Sequence, residues 1–163
     1  MIRRANEKDI PDIEAILQDA VEWMTANNIP NLWNKSNTQW DSLSKNYNIN
    51  EFYLAYNDNV PVGCMAITSV DETYWPEVEY GASLYIHKLA VMQKSRGSGI
   101  AKELMDYAKE KAYADKARAI RLDCNADRKR LRNIYEENRF QYVKTVCTDQ
   151  GYGLALFLWD VEL

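Results

Sequence analysis

Histidine is almost missing from this chain: His87 is the only one in 163 residues, and cysteine contributes just Cys64, Cys124 and Cys147. No C-x-x-C pair occurs, and one histidine cannot complete a zinc site with thiols so scattered, so no metal is expected. Odd in number and widely spaced, the cysteines read as small buried apolar residues of a reduced compartment. A basic excess is missing too, since 20 Lys and Arg against 24 Asp and Glu leave a formal charge of −4. That balance argues against a nucleic-acid partner, whose binding needs neutralised phosphates, and mildly favours encounter with cationic amines. Long apolar runs are lacking as well. The longest, residues 154–159, is too short to span a bilayer. Met1-Ile2-Arg3-Arg4-Ala5-Asn6-Glu7 leads into charged residues with no apolar signal region behind it. No membrane partner and a cytoplasmic location are therefore expected. Repeats, low-complexity tracts and linker-like composition shifts are absent, so residues 1–163 read as one domain.

What is present is a globular composition, 47% hydrophobic and 27% charged. Residues 1–5 suit a short strand, and Asn6 and Asp9 resemble a helix-capping pair. After them Ile10, Ile13, Ile16, Leu17, Ala20, Val21 and Met24 keep the spacing of one buried helical face, which Asn27-Asn28-Ile29-Pro30 ends. A shorter helix is expected over about residues 38–46. Strands follow at 52–56 and 61–69 around the turn Asn57-Asp58-Asn59. Residues 83–92 form an apolar strand, and a glycine-bearing turn leads into a helix facing inward through Ile100, Leu104, Met105, Ala108 and Ala112. A strand at 119–124, a helix with Leu131, Ile134, Tyr135 and Asn138 inside, and strands at 142–148 and 152–163 complete the series. Hairpins first and strand–helix crossovers later imply an α/β (α+β) fold. Its expected core is a mixed, mostly antiparallel sheet of about seven strands with helices on both faces.

The most informative stretch is Leu89-Ala90-Val91-Met92-Gln93-Lys94-Ser95-Arg96-Gly97-Ser98-Gly99-Ile100-Ala101. A buried strand feeds a tight turn that opens directly into an amphipathic helix. The first N–H groups of a helix lack partners and carry partial positive charge, which suits a pyrophosphate. Gly97 and Gly99 leave the backbone approachable, and Arg96 can add a guanidinium. A Rossmann fingerprint fails at Lys102 and lacks its acidic residue, while a nucleotide P-loop would need G-K-[ST]. Gly-x-Gly alone would also fit a turn that binds nothing.

Arg96-Gly97-Ser98-Gly99-Ile100-Ala101 resembles the R/Q-x-x-G-x-G/A signature of the GNAT superfamily of N-acetyltransferases, and Leu89-Ala90-Val91 resembles the strand before it. The element order resembles that fold throughout. The resemblance implies acetyl-coenzyme A as cosubstrate. Its pyrophosphate would lie on Arg96, Gly97, Ser98, Gly99, Ile100 and Ala101, and its pantetheine on Leu89, Ala90 and Val91. A main-chain N–H aimed at the thioester carbonyl would stabilise the oxyanion formed on attack. Leu122-Asp123-Cys124-Asn125 and Ile134-Tyr135-Glu136-Glu137-Asn138-Arg139-Phe140 resemble the family's closing pattern. Asn125 matches an asparagine of the cofactor region, and Tyr135 matches the tyrosine that protonates the departing sulfur. Tyr135 also fits a core aromatic, and both roles are compatible. Arg139 stands where the family usually has glycine, which points to Asn138 as the left-handed cap.

The implied reaction is transfer of acetyl to a primary amine of a small molecule, by direct attack in a ternary complex. An alkyl amine of pKa about 10.4 costs roughly 4.6 kcal/mol to deprotonate at pH 7, against roughly 2 kcal/mol for expelling a thiolate. The amine's proton is the larger problem. His87 is the natural base, on a strand face shared with Tyr85, Leu89 and Val91. Tyr85-Ile86-His87-Lys88-Leu89-Ala90-Val91 resembles the His-x-His-x-Leu-Ala-Val strand of arylalkylamine N-acetyltransferases, with Tyr85 replacing the first histidine. A structural histidine, or Glu77, Glu79 or a water chain as base, are the alternatives. Trp23, Trp33, Trp40, Tyr47, Phe52, Tyr53, Tyr74 and Trp75 fit either core packing or an acceptor pocket. Competing functions are a catalytically silent acetyl-coenzyme A sensor and a peptide or protein N-acetyltransferase. The apolar last strand, residues 152–163, is a candidate edge for a homodimer.

Overall fold

Apolar residues spaced by threes and fours bury one face of a helix, and Ile10–Ala26 (α1) does so with Ile13, Ile16, Leu17, Ala20, Val21 and Met24. Ile10, at the first turn, is half-buried. The computed structural model describes residues 1–161, so the end of the expected last strand, 162–163, lies outside the described residues. Upstream of α1, Ile2–Arg4 forms β1. Between them the expected cap is present: Asn6 Oδ1 accepts from the Lys8 N–H (3.0 Å) and Asp9 Oδ2 from the Asn6 N–H (2.8 Å). Arg3 grips Asp9 with two bonds of 2.8 and 2.7 Å, which holds that carboxyl below its ordinary range. The helix ends as Asn28 turns left-handed at φ 52.

The second helix is shorter than its expected 38–46, a single turn at Trp40–Leu43 (α2). Local side-chain bonds compete with helix here: Asn34 Oδ1 accepts from the Ser36 and Asn37 N–H groups, both at 2.9 Å. Phe52–Asn57 (β2) and Val60–Thr68 (β3) then pair across Asp58 and Asn59, whose φ values of 47 and 62 are those of a two-residue type I′ hairpin. The remaining elements are Ser83–Val91 (β4), Ile100–Ala114 (α3), Ala119–Asn125 (β5), Lys129–Glu137 (α4), Gln141–Cys147 (β6) and Gly153–Asp160 (β7).

One seven-stranded sheet results, in the order β1-β2-β3-β4-β5-β7-β6. It is mixed: β4 runs parallel to β5, while β1–β2, β2–β3, β5–β7 and β6–β7 are antiparallel. Parallel pairing of β4 with β5 covers only Ser83, Leu84 and Tyr85 against Ala119, Ile120 and Arg121, although β5 continues to Asn125. The apolar β7 has no unpaired edge, since β5 and β6 flank it. The outer strand beside it is β6, which is largely exposed.

The chain forms two compact units, one of Met1–Ile67 with Lys88–Leu104 and one of Thr68–His87 with the residues from Met105 onward. In the first, Ile13, Ile16, Leu17, Phe52, Leu54 and Cys64 make the core. Trp40 and Tyr47 set their rings edge-on to Phe52 at 5.9 and 5.6 Å, so these aromatics pack that core. In the second, Trp75, Tyr85, Leu154 and Leu156 cluster, with Tyr74, Val78 and Val146 against them. Cys64 and Cys124 are buried as expected, but Cys147 is exposed because it lies on the outer strand β6.

Candidate active site

The start of α3 collects main-chain donors. Gly97 and Gly99 are left-handed, at φ 78 and 87, conformations that other residues adopt only under strain. A Cβ built on either would meet nothing within 4 Å, so the surface over the turn is open. The Glu103 N–H bonds Gly99 O (3.0 Å), the first backbone bond into the helix from this turn. The N–H groups of Gly97, Gly99, Ile100 and Ala101 have no backbone acceptor among the described residues. They are the orphan donors of a helix start. The loop is braced from behind. Gln93 donates its N–H to Asp19 Oδ2 of α1 (2.7 Å), and the Ser98 hydroxyl donates to Ser95 O. Arg96 is exposed, with its guanidinium carbon 3.5 Å above the Trp23 ring, a stack that aims the charge beside the loop. Trp23 thus has a use that its spacing did not announce.

Leu89 and Val91 are half-buried and Ala90 buried, just before this loop. The expected face shared by Tyr85, His87, Leu89 and Val91 does not run through. Lys88 has φ 52, a left-handed residue inside the strand such as a β-bulge carries, so strict alternation stops there. The Lys88 carbonyl accepts from the Cys64 thiol at 3.6 Å. Burial pushes that thiol's pKa up to about 12.

Tyr135 is placed by the way α4 ends. Arg139, not Asn138, adopts the left-handed cap, with φ 65 against −91. The Phe140 N–H then bonds Tyr135 O (3.0 Å) and the Arg139 N–H bonds Glu136 O (2.9 Å), a Schellman closure. Asn138 is bypassed because its own side chain donates back to Ile134 O (2.8 Å). Phe140 folds against Tyr135 at 6.3 Å, and Phe157 meets it edge-on at 5.4 Å. Burial pushes the phenol well above its ordinary pKa, Cys124 and Asp123 add to that, and Arg128 opposes it. Asn125 is buried at the end of β5, where its Oδ1 accepts from the Asp127 N–H (2.9 Å) and shapes the turn into α4.

His87 is half-buried, and its Nε2 lies 3.2 Å from Thr68 Oγ1. Its ring lies nearly parallel to that of Tyr85, at 16° and 6.5 Å between centroids. Carboxylate oxygens of Asp71 and Asp123 and a ring nitrogen of His87 all lie within 4.8 Å of one another. Asp71 and Thr68 carry no motif in the sequence, and Asp123 stands out only as a member of the closing pattern. Glu77 and Glu79 are exposed in the loop before β4. No helix among the described residues is long and apolar enough to cross a membrane.

Known proteins resemble this chain in sequence and in fold. The sequence profile described as Acetyltransferase (GNAT) family matches residues 13–140. An uncharacterized N-acetyltransferase, YesJ, from Bacillus subtilis (strain 168) is 22% identical over 160 residues, covering 90% of this chain and 83% of the relative. An N-acetyltransferase from Staphylococcus aureus Mu50 shares the fold with a TM-score of 0.73 and 21% identity, over 99% of this chain and 98% of that one. N-acetylglutamate synthase from Neisseria gonorrhoeae, solved with coenzyme A and N-acetyl-glutamate, superposes with a TM-score of 0.72 and 17% identity, over 100% of this chain and 35% of that one. With the profile spanning most of its length and the sheet order matching, the chain belongs to the GNAT acetyltransferase family and is an acetyl-coenzyme A-dependent acyltransferase.

Proposed function

We propose that the protein acetylates the primary amine of a small molecule, by direct attack on acetyl-coenzyme A in a ternary complex. Residues 1–163 act in this reading as one acetyltransferase domain. The observation that carries it is the set of unaccepted main-chain N–H groups at Gly97, Gly99, Ile100 and Ala101, under an open surface. Such a row suits a diphosphate, whose oxygens supply the acceptors that the chain itself withholds. Arg96, held on Trp23, adds charge to the same group. Bound acetyl-coenzyme A supplies the activated thioester. Leu89, Ala90 and Val91 offer main chain for its pantetheine, as the family resemblance implies, and Asn125 supports that region through the turn it shapes.

Tyr135 is the acid of this proposal. Burial keeps its phenol protonated through the neutral range, so the proton is available to a departing thiolate. His87 is the base that takes the amine's proton. All three cysteines are free, which suits a reducing compartment, and a cytoplasmic setting belongs to the same proposal.

The test is an amine panel incubated with acetyl-coenzyme A while free thiol is followed. Thiol release with a small primary amine, and acetyl-coenzyme A binding seen by calorimetry, are the expected results. Binding without turnover across a broad panel would make the protein a sensor instead, and turnover with peptides alone would move the acceptor class.

A further inference from the structure

Two residues of α1, Asp19 and Trp23, stand about one helical turn apart and so share a face of that helix. Both are half-buried, and both reach the segment that opens the glycine turn. Asp19 Oδ2 accepts the Gln93 N–H at 2.7 Å. The Gln93 side chain wraps back, its Nε2 donating to Asp19 O at 3.3 Å. The Gln93 carbonyl then accepts the Arg96 N–H at 3.2 Å. A series of bonds thus runs from a carboxylate of α1 to the backbone of Arg96.

Trp23 meets the other end of the same arginine. Its indole packs against the core of this unit, and the Arg96 guanidinium carbon stands 3.5 Å from the ring centroid. That is contact distance. Arg121 over Trp75, at 4.3 Å, and Arg3 over Tyr56, at 5.0 Å, stand further off. At 3.5 Å the two planes must lie flat together, because an upright guanidinium would drive a nitrogen into the ring. The helix end beside the indole is tied down, since Trp23 O accepts both the Asn27 N–H (3.1 Å) and Asn27 Nδ2 (2.8 Å).

We propose that Asp19 and Trp23 are positioning residues for the diphosphate of acetyl-coenzyme A, Asp19 acting through the turn and Trp23 through Arg96. The inference rests on the reading above that the diphosphate lies over residues 96–101. It extends that site to a helix that carries no phosphate motif of its own. Charge decides how Asp19 works. A carboxylate repels a diphosphate, so Asp19 serves the site only through the bond that holds Gln93. Trp23 works through shape. The N–H bonds of a guanidinium lie in its plane, so a ring against its flat side consumes none of them. An exposed arginine gives up rotamer freedom when it grips a ligand, and one already held on a ring gives up less.

Calorimetry of acetyl-coenzyme A binding to the full-length protein tests this and needs no acceptor. Trp23→Leu should weaken binding about three- to thirty-fold. Trp23→Phe, which keeps an aromatic face, should stay within about three-fold of the parent protein. In an Arg96→Met background the same Trp23→Leu change should have no further effect, within about two-fold, because the stack is already gone. Asp19→Ala should weaken binding about three- to ten-fold. Asp19→Asn, whose amide oxygen still accepts the Gln93 N–H, should remain within about two-fold. A Trp23 that matters only for packing would give equal losses with and without Arg96, and that result would overturn the proposal. So would Asp19→Asn binding as weakly as Asp19→Ala. The Asp19 pair decides the matter alone if Trp23→Leu fails to fold. Normal affinity in Arg96→Met would remove the diphosphate from this turn and the proposal with it. A loss in Arg96→Met with none in Trp23→Leu would sink the proposal alone.

Discussion

The turn at 96–101 and the cluster around His87 are built from different materials. The first is main chain: its donors are N–H groups of Gly97, Gly99, Ile100 and Ala101, and side chains serve mainly as braces. The second is side chain: Thr68, Asp71, His87 and Asp123 come from a strand end, a loop and two further strands. Tyr135 belongs with the second kind, since Phe140 and Phe157 position its ring. In the proposed reading, a donor carrier common to many enzymes is met by chemistry every residue possesses, and an acceptor particular to one enzyme by chemistry that only chosen residues supply. Cofactor affinity and turnover should therefore respond to different substitutions.

The largest separation is expected from Tyr135→Phe. Turnover should fall about ten- to a thousand-fold while calorimetric affinity for acetyl-coenzyme A barely changes. Equal turnover would remove Tyr135 from the side-chain half. Because the folded phenol titrates above its ordinary value of about 10, kcat should show no falling limb from its ionisation between pH 7 and 10. A limb in that range that vanished in the phenylalanine variant would contradict the assignment.

Gly99→Val should do the reverse, weakening acetyl-coenzyme A about ten-fold or more. The left-handed φ of 87 strains any branched residue, and its side chain would stand on the open face of the donors. Normal affinity would show that the diphosphate lies elsewhere. Gly63→Ala tests the brace more gently. An added Cβ would come within 2.9 Å of Ile100 Cγ2 and 3.2 Å of Ala90 O, so the start of α3 must shift. Thermal melting should reveal a loss of about 1–3 kcal/mol, with affinity for acetyl-coenzyme A lowered a few-fold. An unchanged melting temperature would mean the helix start yields freely. The smallest effect belongs to the thiols. A maleimide should label the exposed Cys147 and spare Cys64 and Cys124, whose pKa values burial pushes up to about 12 and 11, with activity unaltered.

Legibility followed the same division. The turn could be read because its parts are consecutive: a strand, two glycines and an amphipathic helix leave a local trace. The helical face of α1 and the Asp58-Asn59 hairpin were legible for that reason too. Asn138 misled because the glycine expected at 139 is an arginine, and the cap still fell on position 139, where the Asn138 side chain closes the helix instead. The shared face of His87 and Leu89 failed at Lys88, whose left-handed backbone in mid-strand has no residue-type signal.

By itself the sequence determined the periodicities, the order of the elements and the position of the turn between β4 and α3, since each depends on neighbours within a few positions. Only the tertiary structure decided that Asp71 and Asp123 stand beside the single histidine, and which of its nitrogens Thr68 engages. The physical reason is range: hydrogen bonds along a helix or turn join residues close in sequence. A charge cluster gathered by three separate segments exists only once the sheet has brought them together.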